Sequence, residues 1–234
     1  MPSENEPQRS PLAVYPSDMD PGAARAPGSM AKKGTLAAVI GSLAAALALT
    51  MTPEEESGRK VKVDMAADGT ATVDHVRGKQ YLRAYLDIAR IPTACDGLTR
   101  LPDGTPVKIG MTFTEAQCAT MLEQALVQHA KGMMACSPGL RRDGMAYQRA
   151  GALLFTYNVG VGGFCGSTAR KRFDAGDVAG ACAALLPWDK ARVNGVLRPV
   201  KGLTMRRNRE REVCRTGTPG FPPETLAKRL ERWL

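Results

Sequence analysis

An uncharged run from Gly34 to Thr52, built mainly from Ala, Leu, Gly and Val, constrains this chain more than any other feature. Lys32-Lys33 stands before it and Glu54-Glu55-Glu56 follows it. About 18 mostly apolar residues are just enough to cross a bilayer as a helix. The basic flank assigns the N-terminal end to the cytoplasm and everything after the run to the outer side of the inner membrane. A cleaved signal peptide fits Ala46-Leu47-Ala48, a small-residue cleavage pattern. A permanent anchor fits the length. A weakly inserting segment fits the composition, because Ala adds little to insertion compared with Leu or Phe. A buried core helix is the remaining reading, and charge at both ends speaks against it.

The flanking sequence supports an exported protein. Residues 1–33 are rich in Pro, Ser, Gly and acidic residues and show no apolar period, as expected of a disordered cytoplasmic tail. All six cysteines lie after the apolar run, with no CxxC pair and no neighbouring His cluster. That pattern points to three disulfides in an oxidising compartment, with no metal and no cofactor. The formal net charge of +9 favours anionic lipid and cell-wall polymer as partners. Nucleic acid is set aside, since the positive charge is dispersed and only 5% of residues are aromatic.

Residues 53–73 read as a linker, in which Val61, Val63 and Met65 alternate before an Asp68-Gly69 turn and hint at a small hairpin. A short helix is expected from Asp74 to about Arg83, then strand-like pieces with turns at Asp96-Gly97 and Asp103-Gly104. Thr114 opens a long helix whose apolar positions recur at Ala116, Ala119, Leu122, Leu126 and Val127 before Gly132. Further helices are expected over 144–158, 167–173, 177–186 and 205–214. A small mixed lobe followed by a larger all-helical lobe is α+β architecture, with the site in the cleft between them. The domain is expected over 74–220, with 221–234 a tail or short helix.

The stretch Ala84-Tyr85-Leu86-Asp87-Ile88-Ala89-Arg90-Ile91-Pro92-Thr93-Ala94-Cys95-Asp96-Gly97 resembles the active-site hairpin of the phage-type lysozymes, glycoside hydrolase family 24. Three later blocks resemble that family in the same order. Phe155 to Thr168 resembles the segment lining the cleft, Phe173 to Trp188 the following helix pair, and Gly202-Leu203 with Arg206-Arg207 and Glu210 a late helix. The resemblance implies a two-lobed lysozyme fold. It also implies hydrolysis of the β-1,4 link between N-acetylmuramic acid and N-acetylglucosamine in peptidoglycan. With the apolar run, it is similar to the secreted signal-arrest-release endolysins, whose segment inserts and later slips out.

By that resemblance Asp87 and Thr93 hold the attacking water, and Asn158, Gly160, Ser167, Thr168 and Arg206 line the substrate. The spacing of Asp87 and Thr93 suits one shared water if the strands pair across the Ala89-Arg90 turn; the alternative is an Asp that caps the turn and an ordinary strand Thr. Arg90 stands where the family has a turn Gly. Arg206 matches the buried Arg that pairs with the family's catalytic Glu, but that Glu position reads Arg77 or Gly78, according to a one-residue offset. Neither can donate a proton at neutral pH. Asp74 is the nearest carboxyl, while Glu115 and Glu123 read as solvated surface charges. His75 and His129 have no partner that points to chemistry.

The resemblance further pairs Cys95 with Cys118, Cys165 with Cys182 and Cys136 with Cys214. Two functions follow from the whole: an endolysin acting from the periplasmic side and causing host lysis, or a lysozyme-fold module that binds wall glycan without cleaving it.

Overall fold

The computed structural model describes residues 34–87, 90–193 and 195–233. The expected tail over 1–33 and the Lys32-Lys33 pair lie outside the described residues. Two helices open the fold, α1 (Leu36–Ile40) and α2 (Ser42–Ser57), separated by Gly41 at φ 88°. Leu36, Ile40, Ala44, Ala45, Ala48 and Leu49 are at most 1% exposed and join the main core. Burying each of the larger side chains contributes roughly 1.5–3 kcal/mol.

The apolar run is therefore a core element in this conformation, and packing begins at Leu36 rather than at the domain boundary expected at Asp74. The charges at its C-terminal end are absorbed by folding. The three glutamates at its end meet cations from elsewhere in the chain. No helix among the described residues is long and apolar enough to cross a membrane.

Strands β1 (Lys60–Met65) and β2 (Ala71–Arg77) form the hairpin expected around Asp68-Gly69, with Val63 opposite Val73 and Met65 opposite Ala71. This corrects the helix expected from Asp74. Alternation continues through Ala71, Val73 and His75, a period of two that favours a strand. Val63, Met65, Ala71 and Val73 pack against the core that contains α1 and α2.

A second antiparallel pair, β3 (Tyr85–Leu86) and β4 (Pro92–Thr93), carries the site hairpin. The long helix α3 (Glu115–Cys136) starts with a full capping box: Thr114 accepts from the Gln117 N–H and Gln117 accepts from the Thr114 N–H. It passes through Gly132, where a Cβ would collide with Val161 of the next helix, so the glycine serves close packing rather than termination.

Helix α4 (Ala146–Gly166) is interrupted at Gly160, at φ 78° and ψ 161°. α5 (Thr168–Ala175), α6 (Val178–Ala183), a hairpin of β5 (Lys190–Val193) with β6 (Val196–Pro199), α7 (Lys201–Cys214) and α8 (Leu226–Leu230) complete the larger lobe. A smaller apolar cluster around Ala84, Ala94, Cys95, Leu98, Val107 and Cys118 forms the other lobe. This is the expected α+β, two-lobed arrangement.

The disulfides are Cys95–Cys118, Cys136–Cys165 and Cys182–Cys214, with Cα separations of 5.4, 5.8 and 5.6 Å. The first is as expected; the other two replace Cys165–Cys182 and Cys136–Cys214. The break at Gly160 is the reason. It sets the last turn of α4 beside the last turn of α3, so that Gly132 receives Val161 and Cys136 meets Cys165. Cys214 instead faces α6, at the point where α7 runs close against Gly151 of α4.

Candidate active site

Three glutamates end α2, against the partial negative charge of a helix C-terminus. Cations offset that cost. Glu55 forms a two-pronged ion pair with Arg209, Arg209 Nη2 donating to its Oε2 at 2.7 Å. Glu56 Oε1 lies 2.7 Å from Arg206 Nη2, as an ion pair rather than an aligned hydrogen bond. Arg206 and Arg209 are one turn apart on α7, so one helix face holds two consecutive glutamates. The Arg206 side chain is 5% exposed and that of Glu56 14%. Arg206 thus has the acidic partner that Arg77 and Gly78 do not supply.

The route by which Glu56 arrives explains its displacement in sequence. The β1–β2 hairpin leaves the chain after Gly58 and returns at Gly78, and the two glycines touch. A Cβ on Gly78, which has φ 98°, would stand 2.7 Å from the Gly58 carbonyl oxygen. The hairpin is an excursion between residues that are neighbours in space. Arg77 and Asp74 are exposed on β2, away from the buried Arg206. Sequence reasoning treated Glu54-Glu55-Glu56 only as a charged flank. The signal available was the pairing of Arg206 and Arg209 at i,i+3 with two adjacent acids.

From Glu56 the chain reaches the site hairpin through buried polar contacts. Ser57 Oγ donates to Asp96 Oδ1 at 2.8 Å, and Arg59 binds the same carboxylate through Nε and Nη2 at 3.1 and 2.6 Å. Gly97 lies over Glu56; a Cβ there would stand 3.1 Å from Glu56 Oε2. The Cys95–Cys118 disulfide fixes this turn to α3.

Asp87 and Thr93 meet at Ile91. Asp87 Oδ1 accepts from the Ile91 N–H at 2.8 Å, and Thr93 Oγ1 donates to the Ile91 carbonyl at 3.0 Å. Thr93 is 1% exposed and pairs with Tyr85 across the strands. Asp87 does cap the turn, with one carboxylate oxygen, and its Oδ2 is not engaged in that cap. Arg90 in the turn has φ 60°, so the replaced glycine is felt in the backbone.

The other expected residues point largely inward. Asn158 is buried and accepts from Arg207 Nη2 at 2.7 Å. Gly160 makes the α4 break, and Ser167 caps α5 by accepting from the Arg170 N–H. Thr168 is exposed at the first turn of α5. Glu115 and Glu123 are not merely solvated. Glu115 accepts the His75 N–H and Glu123 accepts the Leu36 N–H. His129 Nδ1 lies 2.8 Å from the Ala125 carbonyl, and its ring packs at a 56° tilt against that of Tyr157. Among the described residues no group of His, Cys, Asp and Glu has the arrangement of a metal site.

The profile of the family described as Phage lysozyme matches residues 78–210, beginning just after the hairpin that separates Glu56 from the rest of the site. A SAR-endolysin of Enterobacteria phage PA-2 is 35% identical over 149 residues, covering 64% of this chain and 83% of that protein. A SAR-endolysin of Enterobacteria phage P21 is 34% identical over the same length and shares of the two chains. Among solved structures, the endolysin from Escherichia coli O157:H7 phage FAHEc1 superposes with a TM-score of 0.58 at 25% identity, covering 75% of this chain and 94% of that one.

Proposed function

Starting from a chain that belongs to the phage lysozyme family, a family of peptidoglycan-hydrolysing glycoside hydrolases, we propose that this protein cleaves the β-1,4 bond between N-acetylmuramic acid and N-acetylglucosamine with Glu56 as general acid. The observation that carries this reading is the ion pair of Glu56 with the buried Arg206. Glycoside hydrolysis needs a proton for the leaving oxygen and a positioned water on the other face of the sugar. Glu56 supplies the proton, with Gly97 placing no Cβ against its Oε2. Asp87, through Oδ2, takes a proton from the water, and Thr93 Oγ1 orients it. The backbone of Ile91, bound at its N–H by Asp87 and at its carbonyl by Thr93, holds the two in register.

The same reading gives the apolar run two successive states. Inserted in the inner membrane, residues 34–52 hold α2 away from the body and Glu56 away from Arg206. After release to the periplasm the run packs into the core as in this structure, and Glu56 is delivered with it. Cleavage of the wall then leads to host lysis. The support is the SAR-endolysin relationship together with an apolar segment whose last turn carries the acid.

Turbidity clearing of purified sacculi by residues 34–234 tests the chemistry. Glu56→Gln is expected to lower the rate by about 10²–10⁴ while leaving the protein folded and bound to sacculi. Asp87→Asn acts in the same direction. Clearing by Glu56→Gln at the wild-type rate removes Glu56 as the acid. Sedimentation with sacculi without any clearing by the wild type moves the protein to the binding function.

A further inference from the structure

Arg206 is shared. Its Nη2 pairs with Glu56, and its Nε donates to Glu210 Oε1 at 3.2 Å. Glu210 is fully buried and also accepts from Arg207 Nη2 at 2.9 Å, while Arg207 is fixed by Asn158. A core that only needed a filled position one turn after Arg206 would hold an apolar side chain, since burying charge is costly unless it is paired. Here two acids converge on one guanidinium, Glu210 at Nε and Glu56 at Nη2. Glu210 Oε2 and two nitrogens of Arg207 are left without hydrogen-bond partners among the described residues. So tight an unrelieved arrangement, next to the proposed acid, calls for a function beyond packing.

We propose that Glu210 is a positioning residue for hydrolysis: by drawing on the Arg206 charge it weakens the hold of Arg206 on the Glu56 carboxylate, so that Glu56 carries a proton to the leaving oxygen. This rests on the reading of Glu56 as general acid. The reasoning is electrostatic. A cation beside a carboxylate favours its charged form, which is useless for donating a proton, and a second carboxylate on the same cation opposes that effect. The charged groups acting on Glu210 are Arg206 and Arg207 on its own helix and Glu55 from α2, with Glu56 held at Arg206 Nη2; Asn158 from α4 is the neutral partner behind Arg207. Burial first, and then Glu55, push Glu210 up to about 7 against the pull of Arg207 and Arg206. Glu56 and Glu210 share the Arg206 cation, so the charge of Glu210 bears on how strongly Arg206 holds Glu56.

The test is the pH dependence of sacculus clearing by residues 34–234, for wild type, Glu210→Gln, Glu210→Asp and Glu56→Gln. Glu210→Gln keeps the shape and an acceptor for Arg206 but removes the charge. Its alkaline limb is expected to move about one unit to lower pH, with KM for solubilised glycan unchanged. Glu210→Asp draws the carboxylate back and is expected to move the limb the same way by less; it decides the matter alone if the Gln variant does not fold. A limb that stays in place in a folded Glu210 variant, with Glu56→Gln inactive, overturns the inference and leaves the acid standing. Activity in Glu56→Gln overturns both.

Discussion

A carboxylate placed at residue 78, where an ungapped reading of the sequence wants the acid, meets the backbone of Gly58 and Arg59 instead of Arg206. Gly78→Glu is therefore expected to gain no activity and to lose about 2–3 kcal/mol, since the position combines a left-handed φ with a 2.7 Å approach. Thermal melting should show the loss as a drop of roughly 4–12 °C; a rise in clearing rate would show that Arg206 has no acid of its own. Arg90 is the converse case. It is exposed and held at φ 60°, so Arg90→Gly relieves backbone strain without removing a buried contact. An increase of about 0.5–1 kcal/mol in unfolding free energy is expected, after the extra chain entropy of glycine is deducted. Unchanged or lower stability would mean that the Arg90 side chain holds the turn itself. Both residues were visible in the sequence as departures at the right place. Glu56 was not, because the hairpin between Gly58 and Gly78 moves it far along the chain from residues that it meets in space.

At the scale of elements, local chemistry was legible and long-range geometry was not. Thr114 at the start of α3, Ser167 before α5 and Asp68-Gly69 in the first hairpin each announce a structure through contacts with close neighbours. The disulfide partners of Cys136, Cys165, Cys182 and Cys214 depend instead on the direction of the last turn of α4. That direction is set by a left-handed φ at Gly160, and a glycine inside an apolar helical stretch does not disclose its own φ.

The α3–α4 contact also carries a pH response. Burial pushes the His129 imidazole below its ordinary value of 6.5, against the opposing effect of the Ala125 carbonyl, so the fold holds this side chain neutral. The unfolded chain then binds more protons just below pH 6.5, and the contribution of His129 to stability is lost as pH falls through that window. Glu210 works in the opposite sense. Raised to about 7, it contributes fully below its ordinary value of 4.5 and loses that contribution as pH rises through 7. Chemical unfolding of wild type and His129→Gln from pH 5 to 7.5 separates the two. The variant should lose the acid-side decline and retain the decline toward pH 7. Parallel curves would mean that His129 is protonated in the fold.

On the scale of the whole molecule, an uncharged and mostly apolar segment serves a bilayer and a protein core equally well, because both ask only that apolar surface leave water. Composition alone could therefore not choose between a span and a core helix, and substitutions within the run can. Ser42 and Thr50 are exposed in the folded body, whereas Ala45 is fully buried. Leucine at 42 and 50 strengthens insertion by a few tenths of a kcal/mol each or more, while adding nothing to the core. The double variant Ser42→Leu/Thr50→Leu is expected to show a larger carbonate-resistant membrane fraction and later lysis, with the melting temperature of the purified folded protein unchanged. Ala45→Leu also favours the bilayer, but it overfills the packed core at a cost of about 1–3 kcal/mol, so its melting temperature should fall as well. The contrast matters because retention with an intact fold can come only from the inserted state. If the double variant fractionates and lyses like the wild type while Ala45→Leu is destabilised, the run is a core helix alone, and the delivery of Glu56 by release from the membrane is refuted.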